Sequence, residues 1–171
     1  MVASGESAAL AQHLIGDTCV KQKIPKGQLT IHADRGSSMK SKPVAFLMAD
    51  LGITKTHSRP HTSDDNPYSE AQFKTLKYRP DFPERFGCIE DARQFCRTFF
   101  TWYNNEHKHT GISLLAPTTV HHGTAETIIA LRQNVLDQAY AVHPERFVRK
   151  MPEHQPMPQA VWINQPPPAT S

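Results

Sequence analysis

Two carboxylates stand where chemistry is favoured in α/β proteins. Asp34 follows the short β-prone run Leu29–His32, and Glu70 lies in the first turn of a predicted helix. In open α/β sheets, strand ends and helix starts face the same crevice, so these side chains can converge although 35 residues separate them. Lys74 and Lys77 follow Glu70 at i+4 and i+7 and therefore share its helix face.

That helix face combines a hard oxygen ligand with two cations that bind phosphate. Metal-assisted cleavage of a phosphodiester needs such a set, because carboxylates hold Mg²⁺ ions about 3.5–4 Å apart while lysines hold the nucleic-acid backbone. Both carboxylates also have ordinary structural interpretations. Asp34 can form a turn with Gly36, and Glu70 can complement a helix dipole or pair with Lys74. Spacing alone leaves these alternatives open.

The surrounding sequence predicts alternating helices and strands. Apolar periodicity and capping residues predict helices over Ser7–Lys21, Ser41–Leu51, Asn66–Tyr78, Ile89–Tyr103 and Thr124–Tyr140. Two β-prone runs, Leu29–His32 and Ile53–His57, enclose the second helix, and this length is typical of a parallel crossover unit.

Composition indicates a mildly basic globular chain. The net charge is +3, and the basic excess lies between Lys21 and Arg79, where eleven Lys or Arg stand against five Asp or Glu. This distribution favours nucleic acid, and a solvated surface explains it equally well. No run reaches the about 18–20 apolar residues of a membrane helix, and the first residues lack a signal-peptide pattern. We therefore expect a cytoplasmic protein without a membrane partner.

Cysteines and histidines add less specific signals. Cys19, Cys88 and Cys96 form no C-x-x-C pair, which predicts buried thiols rather than disulfides or a cysteine zinc site. No histidine spacing matches a zinc motif. His32 and His57 each end a predicted strand near the carboxylates, where a histidine either orients a ligand or serves the fold.

Several motifs together resemble a known family. The runs HADRGSS at 32–38, SRP at 58–60 and DNPYSEAQFKTLK at 65–77 are similar to the integrase-core transposases of bacterial insertion sequences, which are relatives of retroviral integrases. WYNNEHKH at 102–109 and APT at 116–118 resemble the stretch that follows the catalytic helix in that family. The resemblance extends roughly over residues 7–123.

The resemblance implies an α/β fold, a partial ribonuclease H-like integrase core followed by helices and a proline-rich tail. The family's catalytic triad is Asp, Asp, Glu. The number of residues between its last two members is the number that separates Asp34 from Glu70 in this sequence. The implied activity is DNA strand cleavage and transfer with Mg²⁺ or Mn²⁺, which Asp34 and Glu70 would hold. DNA contacts are implied for four basic residues, Lys74, Lys77, Arg35 and Arg59.

One part of the family pattern has no counterpart here. The family's first Asp lies on the first strand of the sheet, and Glu6 and Asp17, the only acidic residues before Asp34, precede or lie on a helix and are not assigned to its role. We therefore expect a core without its first three strands and without the family's helix-turn-helix. Such a core would leave sheet edges unpaired and an apolar face uncovered, would be impaired in catalysis alone, and would associate with itself or with a full-length transposase.

The expected organisation is a partial catalytic core over 1–123, a helical segment over 124–150 and a proline-rich extended tail over 151–171. DNA, as transposon end and target, is the expected partner. Two alternatives remain: a non-catalytic DNA-binding or interaction remnant of a transposase, and a general ribonuclease H-like nuclease that cuts the RNA strand of a hybrid. Metal-dependent DNA nicking that Glu70→Gln abolishes would favour the transposase hypothesis.

Overall fold

The computed structural model describes residues 1–59 and 65–163. In these residues the α-helices and β-strands, in chain order, are α1 Ala8–Lys21, β1 Thr30–Ala33, α2 Lys42–Asp50, β2 Thr54–His57, α3 Pro67–Lys77, α4 Ile89–Asn105, α5 Pro117–His121 and α6 Ala125–Val142. The five predicted helices and both predicted strands are confirmed, with ends that differ by at most two residues. The short α5 was not predicted.

Local sequence explains where the first helices begin. Ser7 caps α1, because its hydroxyl accepts a hydrogen bond from the amide of Leu10 at 3.2 Å. Proline occupies the first turn of both α2 and α3, where a missing N–H costs nothing. Ser41 and Asn66 stand at the N-caps of these two helices without a capping hydrogen bond from their side chains.

β1 and β2 form a two-stranded parallel sheet in the part of the chain that the structure describes. The register runs from Thr30 opposite Thr54 to Ala33 opposite His57, and α2 makes the crossover. The core beside this sheet consists of Ile15, Cys19, Val44, Met48 and Ile53, with partly buried aliphatic side chains around them. The sequence therefore builds one small α/β layer from α1, α2 and the two strands.

The exposed face of the sheet is polar, and the prediction of an uncovered apolar face is wrong. Side chains alternate along each strand, so partly buried Ile31 and Ala33 alternate with exposed Thr30 and His32. Thr54 and Thr56 on β2 are exposed in the same way. This face is suited to water or a polar partner because its side chains carry hydroxyl and imidazole groups.

The chain divides into two compact units. The first comprises Met1–Arg93 with Trp162 and Ile163, and the second comprises Gln94–Val161. In the second unit, aromatic rings from α4 surround Phe99, which is 2% exposed. Trp102 and Tyr103 lie 5.9 and 5.5 Å from it between ring centroids, an arrangement typical of core packing.

Residues 151–163 of the predicted tail contain no helix or strand. Residues 151–161 nevertheless belong to the second unit, where Gln133 donates to the carbonyl of Pro152 and Ser113 donates to the carbonyl of Pro156. The last eight residues of the tail lie outside the described residues. The domain boundaries given above stay a prediction.

Cysteine burial was only partly predicted. Cys19 is buried, but Cys88 is exposed and Cys96 is intermediate, because only Cys19 points into the core formed by α1 and α2. Among the described residues, no helix is both long and apolar enough to cross a membrane.

Candidate functional site

Asp34 lies immediately after β1 and is exposed. Its Oδ1 accepts a hydrogen bond from the amide of Gly36 at 2.9 Å, so the turn interpretation is confirmed for this oxygen. Oδ2 has no partner among the described residues. The main-chain carbonyl of Asp34 accepts a hydrogen bond from Nδ1 of His57 at 2.9 Å. The ends of β1 and β2 are therefore tied together, while one carboxylate oxygen stays available.

Glu70 lies in the first turn of α3 and is exposed. Its carboxylate has no partner among the described residues, and neither Lys74 nor Lys77 forms an ion pair with it there. Both lysines are exposed in the last turn of the helix. Because α3 buries no residue, the whole predicted face of one carboxylate and two ammonium groups is accessible to a ligand.

His32 connects the sheet to the start of α3. Its Nδ1 lies 2.8 Å from Oγ1 of Thr56, the residue opposite it on β2. Its Nε2 lies 2.9 Å from the main-chain oxygen of Asp65 and 3.3 Å from Oγ of Ser58. A carbonyl oxygen can only accept a hydrogen bond, so Nε2 of His32 carries the proton. In the neutral ring, Nδ1 then accepts a hydrogen bond from the Thr56 hydroxyl. This tautomer is assigned from the hydrogen-bond network.

Arg59 and Asp65 close the segment that leads into α3. Asp65 is 5% exposed, and its carboxylate accepts hydrogen bonds from the amide, Nε and Nη2 of Arg59 at 2.7, 3.0 and 2.9 Å. Pro60 of the SRP motif and the next four residues lie outside the described residues. The two ends of this segment are joined by a charged pair in which one partner is buried.

The predicted DNA-binding residues differ in how they are held. Arg35 donates from Nε to the carbonyl of Ser58 at 3.2 Å, and Arg59 is bonded to Asp65. The side chains of Lys74 and Lys77, in contrast, form no hydrogen bond or ion pair with a described residue. Among the described residues the two lysine side chains are therefore unengaged, whereas both arginine side chains bond to the protein itself.

No hydrogen bond joins Asp34 to Glu70 in the described part of the chain. The two are linked indirectly, through His32 two residues before Asp34 and Asp65 five residues before Glu70. The same residues include no group of three or more His, Cys, Asp or Glu that could hold a metal ion. Asp34 and Glu70 nevertheless offer exposed carboxylate oxygens, the ligand type that Mg²⁺ prefers, and Mg²⁺ keeps several waters when few protein ligands are present.

Glu6 is a nearby carboxylate that sequence reasoning did not assign. A Cβ placed on Gly36 would lie 3.0 Å from Oδ1 of Asp34 and 3.4 Å from Oε1 of Glu6. The carboxylates of Asp34 and Glu6 therefore both lie beside Gly36. Because glycine has no side chain, the space between them stays open. The sequence contains no local signal for this, because 27 residues separate Glu6 from Asp34.

A histidine cluster lies in the second unit. His107 and His109 have ring centroids 4.5 Å apart, and Tyr103 packs against both. Burial, with a smaller contribution from His107, lowers the pKa of His109, whose Nε2 is buried without a hydrogen-bond partner in the described residues. Burial raises the pKa of Tyr103. Both pKa shifts are expected for groups that are buried among aromatic rings. Among the described residues the cluster lacks a third metal ligand.

A family model described as an integrase core domain matches residues 51–117. This range includes α3 with Glu70, Lys74 and Lys77, and Asp34 precedes it. No curated protein sequence matches the chain.

Two solved structures are similar to this chain. The catalytic core domain of BIV integrase is similar with a TM-score of 0.51 and 20% identity, over 74% of this chain and 78% of that chain. A simian T-cell lymphotropic virus intasome in complex with PP2A regulatory subunit B56 gamma also matches, with a TM-score of 0.47, 15% identity and coverage of 70% of this chain and 42% of that one. The first likeness shows that this mixed α/β structure, with its small parallel sheet and several helices, resembles an integrase catalytic core.

Proposed function

We propose that this chain acts on DNA in integration or transposition, as part of an Asp-Asp-Glu transposase of the kind found in bacterial insertion sequences. The observation that carries the proposal is the integrase core match over residues 51–117, which includes the exposed face of α3. On that face Glu70 stands beside Lys74 and Lys77, and its carboxylate has no partner among the described residues. The resemblance of the sequence around Asp34 supports its assignment as the second carboxylate.

Each residue has a distinct role in the proposed reaction. A water or a DNA hydroxyl attacks a phosphodiester in line, and no covalent protein intermediate forms. A divalent ion, when bound, supplies charge stabilisation to the attacking and leaving oxygens. Asp34 and Glu70 would hold that ion, and Lys74 and Lys77 would bind the DNA backbone. His57 holds the end of β1 at Asp34 through its hydrogen bond to the main-chain carbonyl.

The family's triad has three carboxylates, and only two of them, Asp34 and Glu70, are assigned in this sequence. The resemblance assigns no residue to the role of the first Asp. We therefore expect this chain alone to cleave DNA weakly and to reach full activity only with a third carboxylate. A second candidate, DNA binding without catalysis, is favoured by the lack of a three-ligand metal group among the described residues.

DNA cleavage and DNA binding distinguish the two candidates. Supercoiled plasmid is incubated with the chain and Mn²⁺, and nicking that disappears in Glu70→Gln supports the transposase. Salt-dependent DNA binding without nicking supports the binding-only candidate. Cleavage of the RNA strand of a hybrid would favour a ribonuclease H-like nuclease, and a chain that neither binds nor nicks DNA would contradict both candidates.

Substitution of the lysines tests the DNA surface separately. Lys74→Gln and Lys77→Gln should each weaken binding to all DNA sequences alike and lower the salt dependence by about one unit of slope. Lys108→Gln, an exposed lysine of the second unit, is the control and should leave the slope unchanged.

A further inference from the structure

We propose that His32 is a positioning residue, which holds the strand that carries Asp34 and the helix that carries Glu70 in one fixed arrangement. The inference rests on the proposed function, since it gives a role to a further residue of the same site. His32 would touch neither the ion nor the DNA. It would act through the hydrogen bonds of its ring.

The ring of His32 reaches both strands and the entrance of α3. His32 lies opposite Thr56 in the sheet, and Nδ1 of its ring is 2.8 Å from Oγ1 of Thr56. Its other nitrogen donates to the main-chain oxygen of Asp65 at 2.9 Å. Although His32 lies on the exposed face of the sheet, both ring nitrogens are engaged. A surface histidine without a structural role would not need two oriented partners on different elements.

Both ends of this connection are themselves fixed. Asp65 is buried and held by three hydrogen bonds from Arg59, and it directly precedes Asn66, the N-cap residue of α3. At the other end, His32 belongs to a paired strand, and His57 holds the carbonyl of Asp34. The ring therefore joins two hydrogen-bonded positions that lie 33 residues apart in the sequence.

A conservative substitution can preserve this connection. The side-chain amide of Gln presents an N–H and an oxygen with a separation close to that of the two ring nitrogens, so His32→Gln can donate to Asp65 and accept from Thr56. His32→Ala removes both bonds. His13→Ala is the matched control, because His13 is an exposed histidine of the same unit whose ring, among the described residues, pairs with Asp17 alone, at 3.4 Å.

The first measurement is the Mn²⁺ affinity of the folded chain by calorimetric titration. Residues that orient metal ligands typically change metal affinity by 10–100-fold, and we expect about a tenfold loss in His32→Ala. His32→Gln should lose much less, and His13→Ala should match the unsubstituted chain. A purely structural role would lower the melting temperature of His32→Ala while leaving the affinity of the folded fraction unchanged, and that result would overturn the proposal.

The second measurement needs no metal. The amide of Glu70 donates to the carbonyl of Asn66 at 3.3 Å in the first turn of α3, and its hydrogen exchange reports how firmly that turn is held. Loss of one hydrogen bond at the helix entrance should speed this exchange about tenfold in His32→Ala. Exchange in α1 should stay unchanged.

The two measurements separate the failure of this inference from the failure of the proposed function. If the unsubstituted chain binds no Mn²⁺ through Asp34 and Glu70, the metal site of the proposed function fails. The role of His32 is then judged by exchange alone. Equal exchange of the Glu70 amide in His32→Ala and in the unsubstituted chain would overturn it, whether or not the metal binds.

Discussion

The ion pair of Arg59 and Asp65 should stabilise the entrance to α3 by an amount that a double-mutant cycle can measure. Nε and Nη2 of Arg59 donate to the carboxylate at 3.0 and 2.9 Å, and the main-chain amide adds a third bond at 2.7 Å. Arg59→Ala leaves that amide in place, so the cycle isolates the two guanidinium bonds. It also cancels the contacts that each residue makes elsewhere.

The expected coupling follows from the unequal burial of the two side chains. The Asp65 side chain is 6% exposed, but that of Arg59 is 67% exposed and is partly screened by water. Exposed pairs contribute up to about 1 kcal/mol, whereas breaking a buried pair costs about 3–5 kcal/mol. Because one partner is buried and the other is not, we expect a coupling free energy of about 1–2 kcal/mol.

Urea unfolding of Arg59→Ala, Asp65→Ala and the double variant, followed by circular dichroism, gives the coupling. Lys150 and Glu153 provide a matched control pair, with the same 2.9 Å separation but side chains that are 71% and 68% exposed. Their coupling should not exceed about 0.5 kcal/mol. A coupling between Arg59 and Asp65 that is no larger than this control would refute the argument that burial of the carboxylate strengthens the pair.

Four further predictions concern three glycines and one histidine. Gly36→Ala places a methyl group 3.0 Å from Oδ1 of Asp34, so it should weaken Mn²⁺ binding in a titration while changing the melting temperature little, since the carboxylate can rotate away. Gly52 has φ +65° and its Cβ would lie 3.0 Å from a main-chain nitrogen, so Gly52→Ala should cost about 1–3 kcal/mol in urea unfolding. Gly16→Ala in α1 meets nothing within 4 Å and should instead stabilise the chain by up to about 1 kcal/mol. Because burial lowers the pKa of His109, the unfolded chain binds protons more readily, so stability should fall as the pH drops below about 6.5. His109→Phe keeps the ring and removes the titrating group, so its melting temperature should change less between pH 7 and pH 5.5; an equal change would show that other groups cause the loss.

Much of the secondary structure could be predicted because its signals are local. The hydroxyl of Ser7 and the prolines of α2 and α3 mark helix starts within a few residues of sequence. The polar face of the sheet was also readable, since Thr30 and His32 alternate with apolar neighbours. The prediction of an apolar face failed because it was derived from the expected missing strands rather than from this alternation.

The contacts that organise the site could not be predicted in the same way. His32 bonds to the main-chain oxygen of Asp65, and a main-chain atom has no sequence signature. The approach of Glu6 to Asp34 depends on how α1 packs, which is a property of the folded chain. The face shared by Glu70 and the two lysines was predictable, because helical spacing alone determines it.

Mn²⁺ titration of single variants tests whether Asp34 and Glu70 hold one divalent ion, as we propose. Asp34→Asn preserves an oxygen that can accept from Gly36, and Glu70→Gln preserves the shape of the helix start. Glu126→Gln is the control, because Glu126 stands in the first turn of α6 as Glu70 does in α3. We expect one bound ion whose affinity falls at least about tenfold in each site variant and not in the control. Equal affinity in Asp34→Asn, Glu70→Gln and the unsubstituted chain would contradict it.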